Sequence, residues 1–365
     1  MSKVSELIKE LCPTGVKFYK IKEVSSVTIG EFVHKNKQSD DGKYPVYNGG
    51  TSNTGFYDEY NNDGHKVIIS ARGANAGFIN RVKGKYWAGN SCYTININDE
   101  SQLDWNYLYQ YLKNNQSTLL GVQQTGSIPA ISKKQVEEFK IPIPPTKVQE
   151  EIVRILDKFG ELEAELEAEL EARKSQYEFW RGQLLNNNKY EKVKIKDITY
   201  KVSSGKCSNR SERGLYPVYG STGIIARTDE YLFDTEKLLV ARVGANAGYV
   251  HIASGKYNVT DNTLIVDLKE NIDLKFMYYY LQNFNLNQLA KGGGQPLITG
   301  GQIKELDITL PPIQEQKRIS NILDKFDKLI NDISEGLPAE IELRRKQYEY
   351  YRNKLLSFEE LSVSE

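Results

Sequence analysis

The sequence predicts an α+β chain: two mixed α/β domains in a pseudo-twofold arrangement, separated by two long antiparallel coiled-coil helices. Three observations predict this. The chain is written twice, a proline pair and a long apolar stripe recur in both copies, and charge is divided between basic and acidic segments. Pro144-Pro145 is followed by Gln149, Ile152 and Ile155-Leu156-Asp157-Lys158-Phe159; at an offset of 167 residues, Pro311-Pro312 is followed by Gln316, Ile319 and Ile322-Leu323-Asp324-Lys325-Phe326. Tyr44-Pro45-Val46-Tyr47 returns as Tyr216 to Tyr219, Gly73-Ala74-Asn75-Ala76-Gly77 as Gly244 to Gly248, and Gln176-Tyr177-Glu178 as Gln347 to Glu349. A period of about 170 residues is far too long for a solenoid. The unit is a globular half followed by a long helix.

The 365 residues suffice for two domains, each with its own core. The boundaries read as globular halves at 1–145 and 188–312, a central helix at 146–187, and a C-terminal helix and tail at 313–365. The net charge of zero hides a partition. The globular halves carry 17 and 16 Lys+Arg against 14 and 13 Asp+Glu, while the helical segments carry 6 and 9 against 10 and 11. Mildly basic domains therefore alternate with acidic helices, a pattern open to nucleic acid on the domains and equally to ordinary surface variation. Cys12, Cys92 and Cys207 are scattered and form no C-x-x-C pair, so neither a disulfide framework nor a zinc site is indicated. No signal-type start and no 18-residue apolar run occurs, so the chain reads as cytosolic and without a membrane partner.

The first globular half contains predicted strands at Val67–Ser70 and Cys92–Ile97 and a helix over Asp104–Lys113. The second repeats them at Leu238–Ala241, Thr263–Asp267 and Leu274–Asn283, with Tyr278-Tyr279-Tyr280 read as core. The first long helix is predicted from Lys147 to Leu185, roughly 58 Å at 1.5 Å per residue. Its apolar residues Val148, Ile152, Ile155, Phe159, Leu162 and Leu166 step by four and three, as do Ile319, Ile322, Phe326, Leu329 and Ile333 in the second copy. Such a stripe is a helix–helix seam, and the expected partner of each helix is the other; packing of each helix on its own domain is the alternative. Glu335-Gly336-Leu337-Pro338 should break the second helix. Residues 161–172 are three copies of Glu-Leu-Glu-Ala, a helical spacer with no counterpart in the second copy.

Three loop constellations recur as candidates for DNA contact. Asn48, Gly49, Thr51 and neighbouring Ser52 match Ser221 and Thr222. Ser70, Arg72 and Asn75 match Arg242 and Asn246. Gln123, Gln124, Thr125 and Ser127 match Lys291 and Gln295. Arg, Asn and Gln read base edges in pairs of hydrogen bonds, while Ser, Thr, Lys and backbone amides hold phosphates. The competing reading is plain turn chemistry, because Asn-Gly and Gly-Gly are turn signals and Gly-Ala-Asn-Ala-Gly is common to both copies. Unlike pairs such as Gln123-Gln124 and Lys291-Gly292 are better suited to specificity, and Arg72 and Arg242 to phosphate.

No P-loop, dinucleotide fingerprint, Asp/Asn-Pro-Pro-Tyr/Phe motif or nucleophile triad is found. His34, His65 and His251 are isolated and read as surface or structural residues. The chain reads as one that binds rather than catalyses, with no metal site of its own.

The Pro-Pro-x-x-x-Gln-x-x-Ile start of a long helix, duplicated after two unlike domains, resembles the specificity (S) subunits of type I restriction–modification enzymes, the HsdS family. Pro312-Ile313-Gln314-Glu315-Gln316-Lys317-Arg318-Ile319 is similar to the family's helix-start motif, and Val148 departs from it in the first copy. Gly126-Ser127-Ile128-Pro129 with Ile131-Ser132-Lys133-Lys134 resembles the segment closing each recognition domain, and Gln295-Pro296-Leu297-Ile298 is its looser counterpart. The resemblance implies two target-recognition domains that each bind one half of a split double-stranded DNA site, with a gap set by the helices. It implies two methyltransferase (M) subunits and restriction/translocase (R) subunits as partners. S-adenosylmethionine, ATP and Mg are then expected on those partners and no cofactor on this chain. Rival classes are a tandem adaptor for protein or carbohydrate and a DNA methyltransferase with its own activity. Salt-dependent DNA binding separates the first, and methylation by the purified chain alone the second.

Overall fold

The computed structural model describes residues 3–120, 129–186, 189–292 and 296–361. The chain divides into two compact units, 1–165 with 341–365, and 166–340. This division differs from the sequence-based one: the first part of the long helix belongs with the first globular half, and the C-terminal helix joins it there.

Among the described residues, both units have the same sheet plan. In the first, Ser25–Ile29, Cys92–Ile97, Lys66–Ser70 and Ile79–Val82 form a four-stranded antiparallel sheet in that order. In the second, Thr199–Ser204, Thr263–Leu268, Lys237–Ala241 and Val250–Ala253 repeat it. A smaller sheet lies beside each, around Tyr44–Tyr47 and around Tyr216–Gly220. The central strands are apolar on both faces because both faces are covered. Val67 and Ile69 enter the main core while Ile68 packs with Val82, Tyr86 and Cys92. Leu238 and Val240 do the same opposite Leu239, which packs with Tyr257 and Ile265.

A helix covers each sheet: Trp105–Asn114 with Asp104 as N-cap, and Leu274–Phe284 with Asp273 as N-cap. Each Asp side chain accepts from the backbone N–H three residues on, which satisfies a donor the helix start leaves open. Tyr279 and Tyr280 are buried, in agreement with the core reading of that cluster.

The long helix runs Thr146–Leu185. The second copy is broken as expected, into Ile313–Asn331 and Leu337–Leu355. Asp332 Oδ1 accepts from the Ser334 and Glu335 amides, and a Cβ on Gly336 would lie 2.5 Å from the Lys328 carbonyl. The chain therefore turns there, and Pro338 sits in the first turn of the next helix, where a missing N–H costs nothing.

The seam reading needs correction. Ile152 is buried in the core of the first unit, a cluster that holds Val148 and Leu156 and is made mostly of residues from the domain itself. Ile155 is half-buried against the same core. Phe159 meets a partner helix, its ring stacking 5.5 Å from Tyr351 and lying 6.0 Å from Tyr348. Leu162 is exposed and Leu166 half-buried. In the second unit Ile319 is buried with Leu323, Ile322 is half-buried, and Phe326 packs against Tyr177 of the long helix at 6.2 Å. Leu329 is exposed, and Ile333 is 86% exposed beyond the helix end. Each helix thus packs on its own domain at its start and on another helix farther along. Four-three spacing identifies an apolar face without identifying what covers it.

Polar contacts lock the helix starts. Gln149 Nε2 donates to the carbonyls of Pro144 (2.7 Å) and Gln102 (2.8 Å), and its Oε1 accepts from Asp104 N (2.9 Å). Gln316 repeats this with Pro311 O (2.8 Å) and Asp273 N (2.9 Å). Residues 359–361 are held in the first unit, where Val16 N donates to Glu359 O and Leu361 N to Val16 O.

Buried Glu151 accepts from Arg154 Nε (2.9 Å) and Nη2 (2.8 Å) and from Lys3 Nζ (3.3 Å). The Arg154 hydrogen bonds, opposed by burial and reinforced by Lys3, hold its carboxyl down at about 2. An unfolded glutamate titrates at about 4.3, so ionised Glu151 stabilises the fold above that pH, and the contribution is lost as pH falls towards about 2. Urea unfolding between pH 6 and pH 2.5 should therefore show a stability gap between wild type and Glu151→Gln that closes with acidification. A pH-independent gap excludes this role for Glu151.

Candidate nucleic-acid interface

Hydrogen bonds bring the three recurring loops together in the first unit and the second and third of them together in the second. In the first, Ala71 N donates to Ser91 O and Ser91 N to Asn48 Oδ1. A Cβ on Gly49 would lie 2.6 Å from the Arg72 carbonyl, so the first loop touches the second through bare backbone. Gly73 N donates to Pro129 O and Ile131 N to Ala71 O, which places the chain leaving the third loop beside the second. The second unit repeats the contact between its second and third loops. Arg242 N donates to Asn262 O, Gly244 N to Pro296 O and Ile298 N to Arg242 O.

The Gly-Ala-Asn-Ala-Gly segment is a structural turn in both units. Gly77 N donates to Ser70 O and Phe78 N to Asn75 O; Gly248 N donates to Ala241 O and Tyr249 N to Asn246 O. Gly73 and Gly77 have φ of 91° and 86°, and Gly244 and Gly248 have 79° and 95°, left-handed values that other residues rarely adopt. The turn explains the repetition of the glycines and leaves the Asn and Arg side chains free to differ in role.

The candidate residues then separate. Thr51, Arg72 and Asn75 are exposed in the first unit, as are Thr222, Asn246 and Lys291 in the second; Ser221 and Arg242 are half-buried. Ser70 is corrected from a contact to a brace: it is buried, and its hydroxyl donates to Gly50 O at 2.8 Å. Asn48 likewise spends its carbonyl oxygen on Ser91 N, and Gly49 serves by close approach. Gln123, Gln124, Thr125, Ser127 and Gln295 lie outside the described residues.

The sequence reading missed a second repeated cluster. Tyr44 meets Tyr60 edge-on at 5.1 Å with Lys85 Nζ 4.4 Å from the Tyr60 ring. Tyr216 meets Tyr231 at 5.0 Å with Lys256 Nζ 4.6 Å from the Tyr231 ring. Tyr60 and Tyr231 are each 43% exposed, so each unit shows solvent an aromatic face with a cation on it. Tyr60, Lys85, Tyr231 and Lys256 recur at an offset of 171, a signal that extending the repeat comparison would have found. His251 is packed between Tyr219 and Tyr249, and burial lowers its pKa to about 4, consistent with a structural role. Among the described residues no group of three or more His, Cys, Asp or Glu could hold a metal ion, and no helix is long and apolar enough to cross a membrane.

One fold built twice, each copy with a cluster of converging loops rich in Arg, Asn, Thr and Lys, defines the class: a duplicated two-domain recognition protein. Residues 13–172 and 187–343 each match the family described as the type I restriction modification DNA specificity domain. The chain belongs to that family, as a specificity subunit with two such domains. It is 33% identical over 349 residues to a type I restriction enzyme specificity subunit of Haemophilus influenzae, covering 87% of this chain and 89% of the relative. A type I specificity subunit of Mycoplasma pneumoniae is 28% identical over 365 residues, covering 94% of this chain and 98% of the relative. The crystal structure of the S subunit of a type I restriction–modification system from M. genitalium shares the fold, with a TM-score of 0.64 at 19% identity over 94% of this chain and 96% of that one.

Proposed function

We propose that this chain binds a bipartite DNA target, one half-site per domain, with the unspecified gap set by its helices, and that it scaffolds the methyltransferase and restriction subunits of its complex. The observation that carries this reading is the pair of glycine turns built twice on one frame with polar side chains exposed beside them: Thr51, Arg72 and Asn75 in the first unit, Thr222, Asn246 and Lys291 in the second. Arg, Asn, Thr and Lys are the side chains that hold phosphates and reach base edges, and a fold built twice presents them at two places along one duplex. In this reading two methyltransferase subunits cover equivalent surfaces. Phe179 and Trp180 (60% and 43% exposed) and Tyr350 and Tyr351 (60% and 43%) are exposed aromatic pairs following the duplicated Gln-Tyr-Glu, and are suited to that contact. S-adenosylmethionine, ATP and Mg belong to the partners, which supply the chemistry in the cytoplasm.

Arg72 and Arg242 are assigned to phosphates. Replacing Arg72 by Ala is expected to weaken duplex binding across all sequences and to reduce the slope of log affinity against log salt by about one. Fluorescence anisotropy with duplexes over a salt series checks this. An unchanged slope and affinity removes Arg72 from the interface.

A further inference from the structure

We infer that the second unit carries a phosphate-binding pocket, formed where Arg181 of the long helix faces the Gly-Ala-Asn-Ala-Gly turn and the end of the helix Leu274–Phe284. The cavity measures about 430 Å³ and is lined by Arg181, Asn246, Tyr249, Gln282, Asn285 and Asn287, with backbone of the turn. Apart from Arg181 its polar lining is neutral, made of side-chain amides, a phenol and peptide groups. The carboxylates of the neighbouring helix are engaged elsewhere: Asp324 takes Tyr279 and Lys275, and Asp327 takes Asn331.

In the first unit the corresponding side chains are engaged with one another. There Arg352, the counterpart of Arg181, donates from Nε to Asn114 Oδ1 at 2.9 Å. Lys113 fills the space beside the turn, donating to Ile79 O at 3.3 Å and Gln116 Oε1 at 3.0 Å, with its Nζ 3.8 Å from the Phe78 ring. The first unit thus supplies both the cation's acceptor and a plug from its own chain.

In the second unit both are gone. Gln282 stands where Lys113 does, and Asn283, the counterpart of Asn114, turns to Asn186 at 3.4 Å. Arg181 keeps the stacking position, 5.2 Å from the Tyr177 ring just as Arg352 is 5.2 Å from Tyr348, but its buried Nε has no hydrogen-bond partner. A buried guanidine N–H without an acceptor is rare, and here it borders a cavity whose other polar groups are neutral, so an anion in that cavity would satisfy it. Phosphate matches the planar fork of arginine and accepts from surrounding amides, and half-exposed Tyr249 at the rim offers a ring to a nucleoside. The shared chemistry is a phosphate group, from a nucleotide or from the DNA backbone; the second source rests on the proposed function and the first does not.

The full-length chain is titrated in phosphate-free buffer with inorganic phosphate and with adenosine 5′-monophosphate, reading the thermal transition. Both are expected to raise it saturably in wild type. Arg181→Gln should lose the response with little change in the ligand-free transition, because the Nε it removes has no hydrogen-bond partner and only the contact with the Tyr177 ring is given up. Arg352→Gln should lower the ligand-free transition while keeping the response. Should Arg181→Gln not fold, Arg181→Lys must still weaken phosphate binding several-fold. A response confined to duplex DNA, with the salt slope reduced by about one in Arg181→Gln, assigns the pocket to a backbone phosphate. Equal behaviour of Arg181→Gln and wild type with all three probes overturns the inference. Failure of wild type to bind any duplex defeats the function proposed above while the phosphate titrations still decide the pocket.

Discussion

Deleting one Glu-Leu-Glu-Ala unit, residues 165–168, is expected to shorten the unspecified gap of the DNA target by one or two base pairs and to leave both half-sites unchanged. Four residues remove about 6 Å of helix and about 400° of rotation, a net phase of about 40°. DNA rises about 3.4 Å per base pair, so the length change corresponds to nearly two pairs. The segment tolerates the deletion because its chemistry repeats. Leu162 before it is exposed and Leu170 after it packs on the core of the second unit, and the deletion brings one Leu into the register of another. Glu163, which pairs with Arg345 at 2.5 Å, lies outside the deleted unit and keeps its place. Sequencing of methylated sites made by the complex with its methyltransferase subunit reads the gap directly. An unchanged gap, or altered half-sites, removes the spacer from its proposed role.

Replacing Gln149 by Ala is expected to destabilise the protein by about 2–4 kcal/mol. The side chain is fully buried and serves three backbone groups at once: the carbonyls of Pro144 and Gln102 and the amide of Asp104. Each group left unsatisfied inside the fold costs roughly 1–3 kcal/mol, and partial relaxation or water entry recovers some of it. The loss falls on the joint between long helix and domain, and on the N-cap of the helix Trp105–Asn114. Gln149→Glu keeps the acceptor for Asp104 but sets a buried carboxylate against the carbonyls of Pro144 and Gln102, so a loss at least as large as that of the Ala variant is expected near neutral pH. Urea unfolding monitored by circular dichroism measures the series, and a change below about 1 kcal/mol for the Ala variant contradicts the bracing role. Gln316 makes the same prediction for the second unit, with two of the three contacts.

This bracing explains why the helix starts are the most closely repeated part of the chain. Pro-Pro-x-x-x-Gln spaces an amide so that it folds back on the proline carbonyl and reaches the next helix cap, and the spacing is legible without coordinates. The strands around Ile68 and Leu239, the two aromatic helices and the break at Gly336 were legible for similar reasons, since each depends on local periodicity or on a single backbone constraint. The loop clusters were legible as motifs, while the roles of their members were not. Ser70 and Thr51 are both hydroxyl residues of turn-rich segments; one is buried on Gly50 O and the other faces solvent. That distinction depends on which way each strand presents its residues.

The sequence by itself determined the duplication, the family, the helix starts and the acidic spacer, because these reside in residue identity and spacing along one chain. Tertiary structure alone decided what covers each apolar stripe. Val148 and Ile152 go to a domain core and Phe159 to a neighbouring helix, although all lie on one stripe. It also decided that Arg352 Nε finds an acceptor while Arg181 Nε does not. Both arginines follow the same Gln-Tyr-Glu motif, and both have an asparagine at the matching position of the neighbouring helix. The difference lies in where that asparagine turns, and a side chain's choice among partners is made by the packing around it, which spacing along the chain does not record.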